Sequence, residues 1–282
     1  MPGYTIAVLA IYFGFALLEL WQSNLFAKNE QTRDDGIVES VSMIVLLAVT
    51  QPAIVLGSAA VMGALAPQWA GALANINVIA AIALFLVLDD MTQYWWHRAS
   101  HSFPWLYNLH RAHHDARYMS VRLVYRNNVI YYAMMPGLWF SGVLLYLGLG
   151  WVYAFYLVVK MAVIIGAHSD VAWDKPLYRI KWLSSLMWLV ERTISTPATH
   201  HAHHGRHADD PAVHYKGNYG NLLFLWDVLF GTAKITRSYP RSYGVENLAP
   251  ATLGQQLLWP IFPENRLKPD EGFDGGAAAQ RA

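Results

Sequence analysis

The sequence predicts an all-α, multi-pass membrane helical bundle of about five spans carrying a cytoplasmic helical cap. Three observations carry that reading. Of 282 residues, 55% are hydrophobic and 14% charged, where a soluble domain carries about 25% charged residues. The apolar residues gather into long runs instead of recurring at surface-helix spacing. Nearly all basic residues fall on one side of the bilayer once those runs are threaded through it.

A helix needs roughly 20 mostly apolar residues to cross the hydrocarbon. The runs that qualify are Tyr4–Leu20, Val41–Leu65, Ile76–Trp96, Val129–Leu149 and Trp151–Ala167. No Lys or Arg precedes the first and no small-residue cleavage site follows it, so it reads as a retained helix. Gly148 and Gly150 separate the fourth and fifth, which predicts a tight hairpin over 129–167.

Five crossings put Trp21–Ser40, Trp96–Asn128 and everything after Ala167 on one face. Of 20 Lys and Arg residues, only Lys160 lies within a run. The bias makes the basic face cytoplasmic and the N-terminus external, in a bacterial inner membrane or alternatively the endoplasmic reticulum. The expected organisation is one integrated domain: membrane helices over 1–96, a histidine-motif region over 97–263, and a Gly/Ala-rich disordered tail over 264–282.

Some functions are excluded early. A net charge of +1 gives no footprint for nucleic acid. There is no cysteine, hence no disulfide, thiolate zinc site or iron–sulfur cluster. Any metal is held by nitrogen or oxygen.

All 12 histidines lie between His97 and His214, on the cytoplasmic side. His97 and His101 are spaced i, i+4; His110, His113 and His114 are spaced i, i+3, i+4, and His200, His203 and His204 repeat that pattern. Such positions share a helix face, so their rings can converge on an ion. His201 points off that face, and His168 stands alone just past the fifth run. Nine imidazoles exceed what one ion takes, which implies two ions. Imidazole suits iron, zinc and copper alike.

These motifs resemble the fatty acid hydroxylase and sterol desaturase superfamily of integral-membrane di-iron oxygenases. The resemblance covers roughly Asp90 to Thr232. It rests on Asp90-Met91-Thr92-Gln93-Tyr94-Trp95-Trp96-His97-Arg98 with His101, on His110-x-x-His113-His114, and on Thr196-Pro197 before His200-x-x-His203-His204. Asn218-Tyr219-Gly220, Trp226-Asp227 and Phe230-Gly231-Thr232 match its closing signature. It implies two Fe²⁺ ions, dioxygen as co-substrate, and a lipid in the bilayer as substrate. The nine clustered histidines would be catalytic as ligands. Ala172 stands where some fatty-acyl hydroxylases have a further histidine, which leaves His207 as the candidate tenth ligand.

Asp90, Asp115, Asp170 and Asp227 are candidates to accept the free imidazole protons, as is Asn218. Asp90 lies seven residues before His97 on the same helical face; caps or interfacial ion pairs explain these carboxylates equally. No nucleotide-binding, haem-carrier or ferredoxin motif is present, so electrons would come from an external redox partner, a ferredoxin-type or haem carrier with its reductase. Arg122, Arg126, Lys175, Arg179 and Lys181 could attract it. Hydroxylation is the expected reaction, with desaturation at the same site as the alternative. A membrane metal-binding or transport protein is the rival of another class. Transport would place ligands inside the spans, whereas these lie beyond them.

Overall fold

The computed structural model describes residues 3–22, 25–26, 28, 30–248 and 251–262; the predicted tail over 264–282 lies outside them. Among the described residues the fold is helical, with no strand beyond an isolated bridge between Gly205 and Tyr243. Four helices are long and apolar enough to cross a membrane: α1 (Gly3–Gln22), α2 (Arg33–Leu65), α3 (Val78–Ser102) and α6 (Gly150–His168). Two shorter helices lie between them in the chain, α4 (Pro104–His114) and α5 (Pro136–Tyr146). After α6 come the shorter α7 (Ser184–Thr193), α8 (Pro197–His203), α9 (Leu225–Leu229) and α10 (Leu253–Leu258).

The fourth predicted run departs from a single long helix. One turn, Tyr131–Met134, ends at Met135, whose extended backbone suits the residue before a proline, and α5 starts afresh at Pro136. Its 11 residues rise about 16 Å, roughly half the hydrocarbon thickness. The chain nevertheless reaches the far end of the bundle. There Gly71 N donates to Tyr146 O at 3.0 Å and Leu73 N to Leu147 O at 2.8 Å. The hairpin turns at Gly148, with φ of 98° and Ala74 Cβ 3.0 Å from where its own Cβ would stand. Only glycine meets both demands.

Lipid tails are as apolar as leucine, so membrane helices are held by close packing and polar contacts. Gly142 of α5 lies directly against the Ser58 side chain of α2, and Gly137 lies against Asp89 of α3. Phe85 stacks on Tyr156 with centroids 5.0 Å apart, joining α3 to α6 in a cluster with Leu144, Leu149 and Val152.

Buried polar links tie the first two long helices to the segments that follow α4 and α6. Glu19 of α1 accepts from Ser120 Oγ at 2.7 Å, Val121 N at 2.9 Å, Ser169 Oγ at 2.9 Å and Asp170 N at 3.0 Å. Arg126 is fully buried, donating to Asp35 Oδ1 at 2.6 Å, Ala112 O at 2.6 Å and Gln256 Oε1 at 2.9 Å. It therefore does not join an exposed basic surface. Asp35 also closes a capping box with Thr32, which starts α2 eight residues before the predicted run.

Removing the Glu19 carboxylate strands those donors, at about 1–3 kcal/mol for each left unpaired. Glu19→Ala is expected to lower Tm in detergent by several degrees, and Glu19→Gln by less. Equal melting of the three proteins would show that the link carries no stability.

Candidate metal centre

The helices aim their histidines at two points. In the first group the ligand atoms of His97, His101, His110, His114 and His203 lie within 4.8 Å of one another. In the second, His113, His168, His200 and His204 do the same. The eight histidines of the spaced motifs and the lone His168 are thus brought together, and eight of the nine are buried. Neither group contains a carboxylate.

Local structure explains the convergence. α3 runs on to Ser102, carrying His97 and His101 on one face. Pro104 then starts α4, which brings His110 and His114 to the first group and His113 to the second. α8 is opened by Thr196, whose side chain accepts from Thr199 N, with Pro197 at the first helical position. It gives His203 to the first group, and His200 with the capping His204 to the second. The residues spaced i, i+3, i+4 therefore divide between the two points.

The hydrogen bonds decide the tautomers. Nδ1 of His97 donates to Tyr219 O at 2.7 Å, that of His203 to Gly217 O at 2.7 Å, that of His113 to Arg126 O at 3.1 Å, and that of His168 to Ile164 O at 2.8 Å. A carbonyl only accepts, so each of these Nδ1 atoms carries the proton and, in the neutral ring, Nε2 presents a lone pair. Yet Nε2 of His203 faces Nε2 of His97 at 3.0 Å, and Nε2 of His168 faces that of His113 at 3.4 Å. Lone pairs set against lone pairs repel unless a cation lies between them. Each group contains one such pair.

Burial, reinforced by the neighbouring rings, pushes His113, His114, His200 and His204 well below the ordinary imidazole range. Burial dominates at His110 and His203 too. Neutral nitrogen donors in such numbers fit a transition-metal ion in each group.

His201 behaves as its register implies. Its Nδ1 lies 2.9 Å from Tyr243 Oη and its Nε2 3.0 Å from Ser169 O, so both nitrogens are engaged away from the centre. His207 is not brought to either group; its Nδ1 meets Glu246 Oε1 at 3.0 Å in a partly exposed pair.

The candidate orienting side chains are placed differently from the expectation. Asp90 accepts from Leu222 N, Leu223 N and Trp226 Nε1. It shares a face with His97 but lies about 10 Å down the axis, seven residues at 1.5 Å each. Asp115 pairs with Arg111 at 3.2 Å and Asp170 with Lys28 at 2.7 Å. Asn218, at φ of 58°, joins Thr199 O to Lys234. Asp227 acts one bond away: it accepts from Tyr219 N at 2.8 Å and Gly220 N at 2.6 Å, fixing the peptide whose carbonyl holds His97.

Sequence reasoning missed the groups that do hold the rings. They are backbone carbonyls, together with Asn127, whose Oδ1 lies 2.9 Å from His110 Nδ1. Carbonyls carry no signature in a sequence. Arg126-Asn127-Asn128, a polar triplet before an apolar run, was the available signal. A cavity opens directly onto His97, His110, His113 and His168, with Met135 and Leu157 among its apolar walls.

A family model described as fatty acid hydroxylase matches residues 82–232. Alkylglycerol monooxygenases from Danio rerio and Homo sapiens are each 27% identical over 143 residues, or 51% of this chain and 28% of the relative. The match thus spans just over a quarter of these relatives' length. No solved structure matches the chain.

Ala at His203 is expected to empty the first group of metal and Ala at His204 the second, while His201→Ala keeps both, as read by metal analysis of purified protein. Equal loss at His201 and His203 would refute the grouping. For pH, the unfolded chain binds protons below about 6.5 that the buried neutral rings refuse. Stability of the metal-free protein is therefore complete above that value and falls as pH drops below it. Acid unfolding followed after chelation, against the metal-loaded protein, checks the sign.

Proposed function

The chain belongs to the fatty acid hydroxylase family, and on that premise we propose that it is a membrane oxidoreductase that uses dioxygen to hydroxylate a lipid at a pair of irons. The observation that carries the reading is the pair of all-histidine groups whose Nε2 lone pairs face each other above a cavity among the membrane helices. Iron follows from the family, since the donors alone suit several metals. Bound there, two ferrous ions supply with dioxygen the oxidising power that no amino-acid side chain has.

The chain's own residues do the rest. The carbonyls of Tyr219, Gly217, Arg126 and Ile164 hold the ring protons on Nδ1 and so keep Nε2 free. Burial excludes water from the rings. The apolar walls lay a hydrocarbon body against His97, His110, His113 and His168. The name of the relatives puts ether lipids among the candidate substrates.

Reduction of dioxygen takes four electrons, and hydroxylation draws two from the C–H bond. The other two come from an external carrier docking on the cap, which faces the cytoplasm. One membrane unit with the cap as its extension, rather than two separable domains, suits a site built jointly from α3, α4, α6 and α8.

Lipid mass spectrometry of cells with and without the gene is expected to show a gain of one oxygen on a lipid; loss of two hydrogens would assign a desaturase instead. Purified iron-loaded protein is expected to turn over repeatedly only with a ferredoxin-type or haem carrier present, and sustained turnover without reductant would sink the electron argument. Reporter fusions after residues 34, 68 and 235 should read inside, outside and inside. An outside signal at 235 reverses the orientation.

A further inference from the structure

A helix on a water-facing surface turns its charges out and its leucines in. α7 does the reverse. Its one carboxylate, Glu191, is 1% exposed and receives Arg237 Nε, Arg237 NH2 and Arg192 NH1, each at 2.8 Å. Met187, one turn earlier, is buried as well. Outward stand Leu186, Trp188 and Leu189, at 53%, 54% and 56% exposure, and Trp182 in the turn before them at 81%. An apolar face of this size marks an interaction surface.

What covers it follows from its neighbours. α7 packs against α9, where Val228 and Leu229 are exposed, as is Phe230 just after them. α9 is in turn fastened to the membrane-length α3. Trp226 Nε1 donates to Asp90 Oδ2 at 2.8 Å, and Phe230 packs on Tyr94 and Trp95 with ring centroids 5.4 and 4.9 Å apart. Trp95 is itself exposed. The apolar surface thus continues from α7 over α9 onto a helix of membrane length. Asp90 stands about 18 Å along the axis from Val78, where α3 starts, and the hydrocarbon is about 30 Å thick. α9 therefore sits beside a part of α3 that lies within the bilayer or at its edge.

The charges agree. Lys175, Arg179 and Lys181 lead into α7 and are exposed, and between Lys175 and Thr193 the only carboxylate is the buried Glu191. The Arg192 guanidinium lies over the Trp188 ring, 4.4 Å from its centroid. Tryptophan and leucine beside lysine and arginine are the composition of a helix that lies in the plane of a membrane surface.

We propose that α7 and α9 form an in-plane membrane anchor: Trp182, Leu186, Leu189 and Leu229 enter the edge of the bilayer beside α3, and Lys175, Arg179 and Lys181 hold anionic lipid headgroups. Those three cations are then committed to lipid, and an electron carrier docks elsewhere. Residues 194–196 are all that separates α7 from α8, so the anchor also sets the height of His200, His203 and His204 relative to the hydrocarbon.

The chain has no cysteine, so one introduced thiol reports on one place. Leu186→Cys and Leu229→Cys are each labelled with an environment-sensitive fluorophore in the full chain, in nanodiscs of phosphatidylcholine and phosphatidylglycerol. Asp209→Cys, at an exposed position, is the reference in water. Metal content equal to that of the wild type shows that a variant folds, and Leu189→Cys replaces either leucine variant that loses it. The labels at 186 and 229 are expected to be blue-shifted, to lose most of their emission to lipids spin-labelled near the headgroup, and to resist aqueous iodide; the label at 209 does the opposite. At equal content, spin-labelled phosphatidylglycerol is expected to quench the 186 label severalfold more than spin-labelled phosphatidylcholine, an excess lost when Lys175→Gln, Arg179→Gln and Lys181→Gln are combined. Iodide quenching at 186 and 229 that matches 209 overturns the anchor. Shielding from both quenchers means that protein covers the face, a second copy included, and overturns it too. Equal quenching by the two lipids overturns the role given to the cations.

Discussion

The protein is organised around imidazole lone pairs forced to face one another. An unsatisfied buried polar group costs about 1–3 kcal/mol, so the four rings in the two facing pairs would stand together only with a cation between the members of each pair. The chain meets that cost with geometry. Each of these rings is pinned from behind by a carbonyl, so it cannot turn to relieve the repulsion, and a metal that binds finds its ligands already aimed. Ring orientation is thus a property of the backbone, in the turn at Gly217 and in the extended stretch around Arg126.

Burying such a centre requires that its supports also leave water. Glu19 and Arg126 are fully buried, and each satisfies several partners drawn from separate parts of the chain. A buried charge is expensive unless its remaining hydrogen-bonding capacity is used, and here it is spent on joining α1 and α2 to the segments beside His168 and His113. The Asp89–Lys160 pair differs. Asp89 Oδ2 takes both Lys160 Nζ and Tyr156 Oη, while Oδ1 is buried against Gly137 without a hydrogen-bond partner, an arrangement that has a cost in stability.

Much of this was legible in the sequence because it follows from periodicity. Long apolar runs identify the long membrane-length helices, and the i, i+3, i+4 spacing identifies which imidazoles enter the centre, although each triplet divides between two groups instead of converging on one ion. The same geometry excluded His201, whose ring goes to Tyr243. What was not legible depends on distance along an axis or on backbone position. Asp90 shares the face of His97, but a seven-residue separation puts it two turns too low, and its partners are Leu222, Leu223 and Trp226. The Arg33–Leu65 helix starts within the predicted loop because a capping box, not hydropathy, sets its beginning. The break at Pro136 falls inside a run that was read as one span on hydropathy alone, where the Pro136-Gly137 pair was the available signal.

α4 and α8 each supply rings to both groups. An ion in the first group would therefore act beyond its own ligands: holding His110 and His114, it would also stiffen the helix that carries His113, and holding His203 it would stiffen the helix that carries His200 and ends at His204. The two groups are aimed separately by their carbonyls and share the rigidity of the helices that serve both.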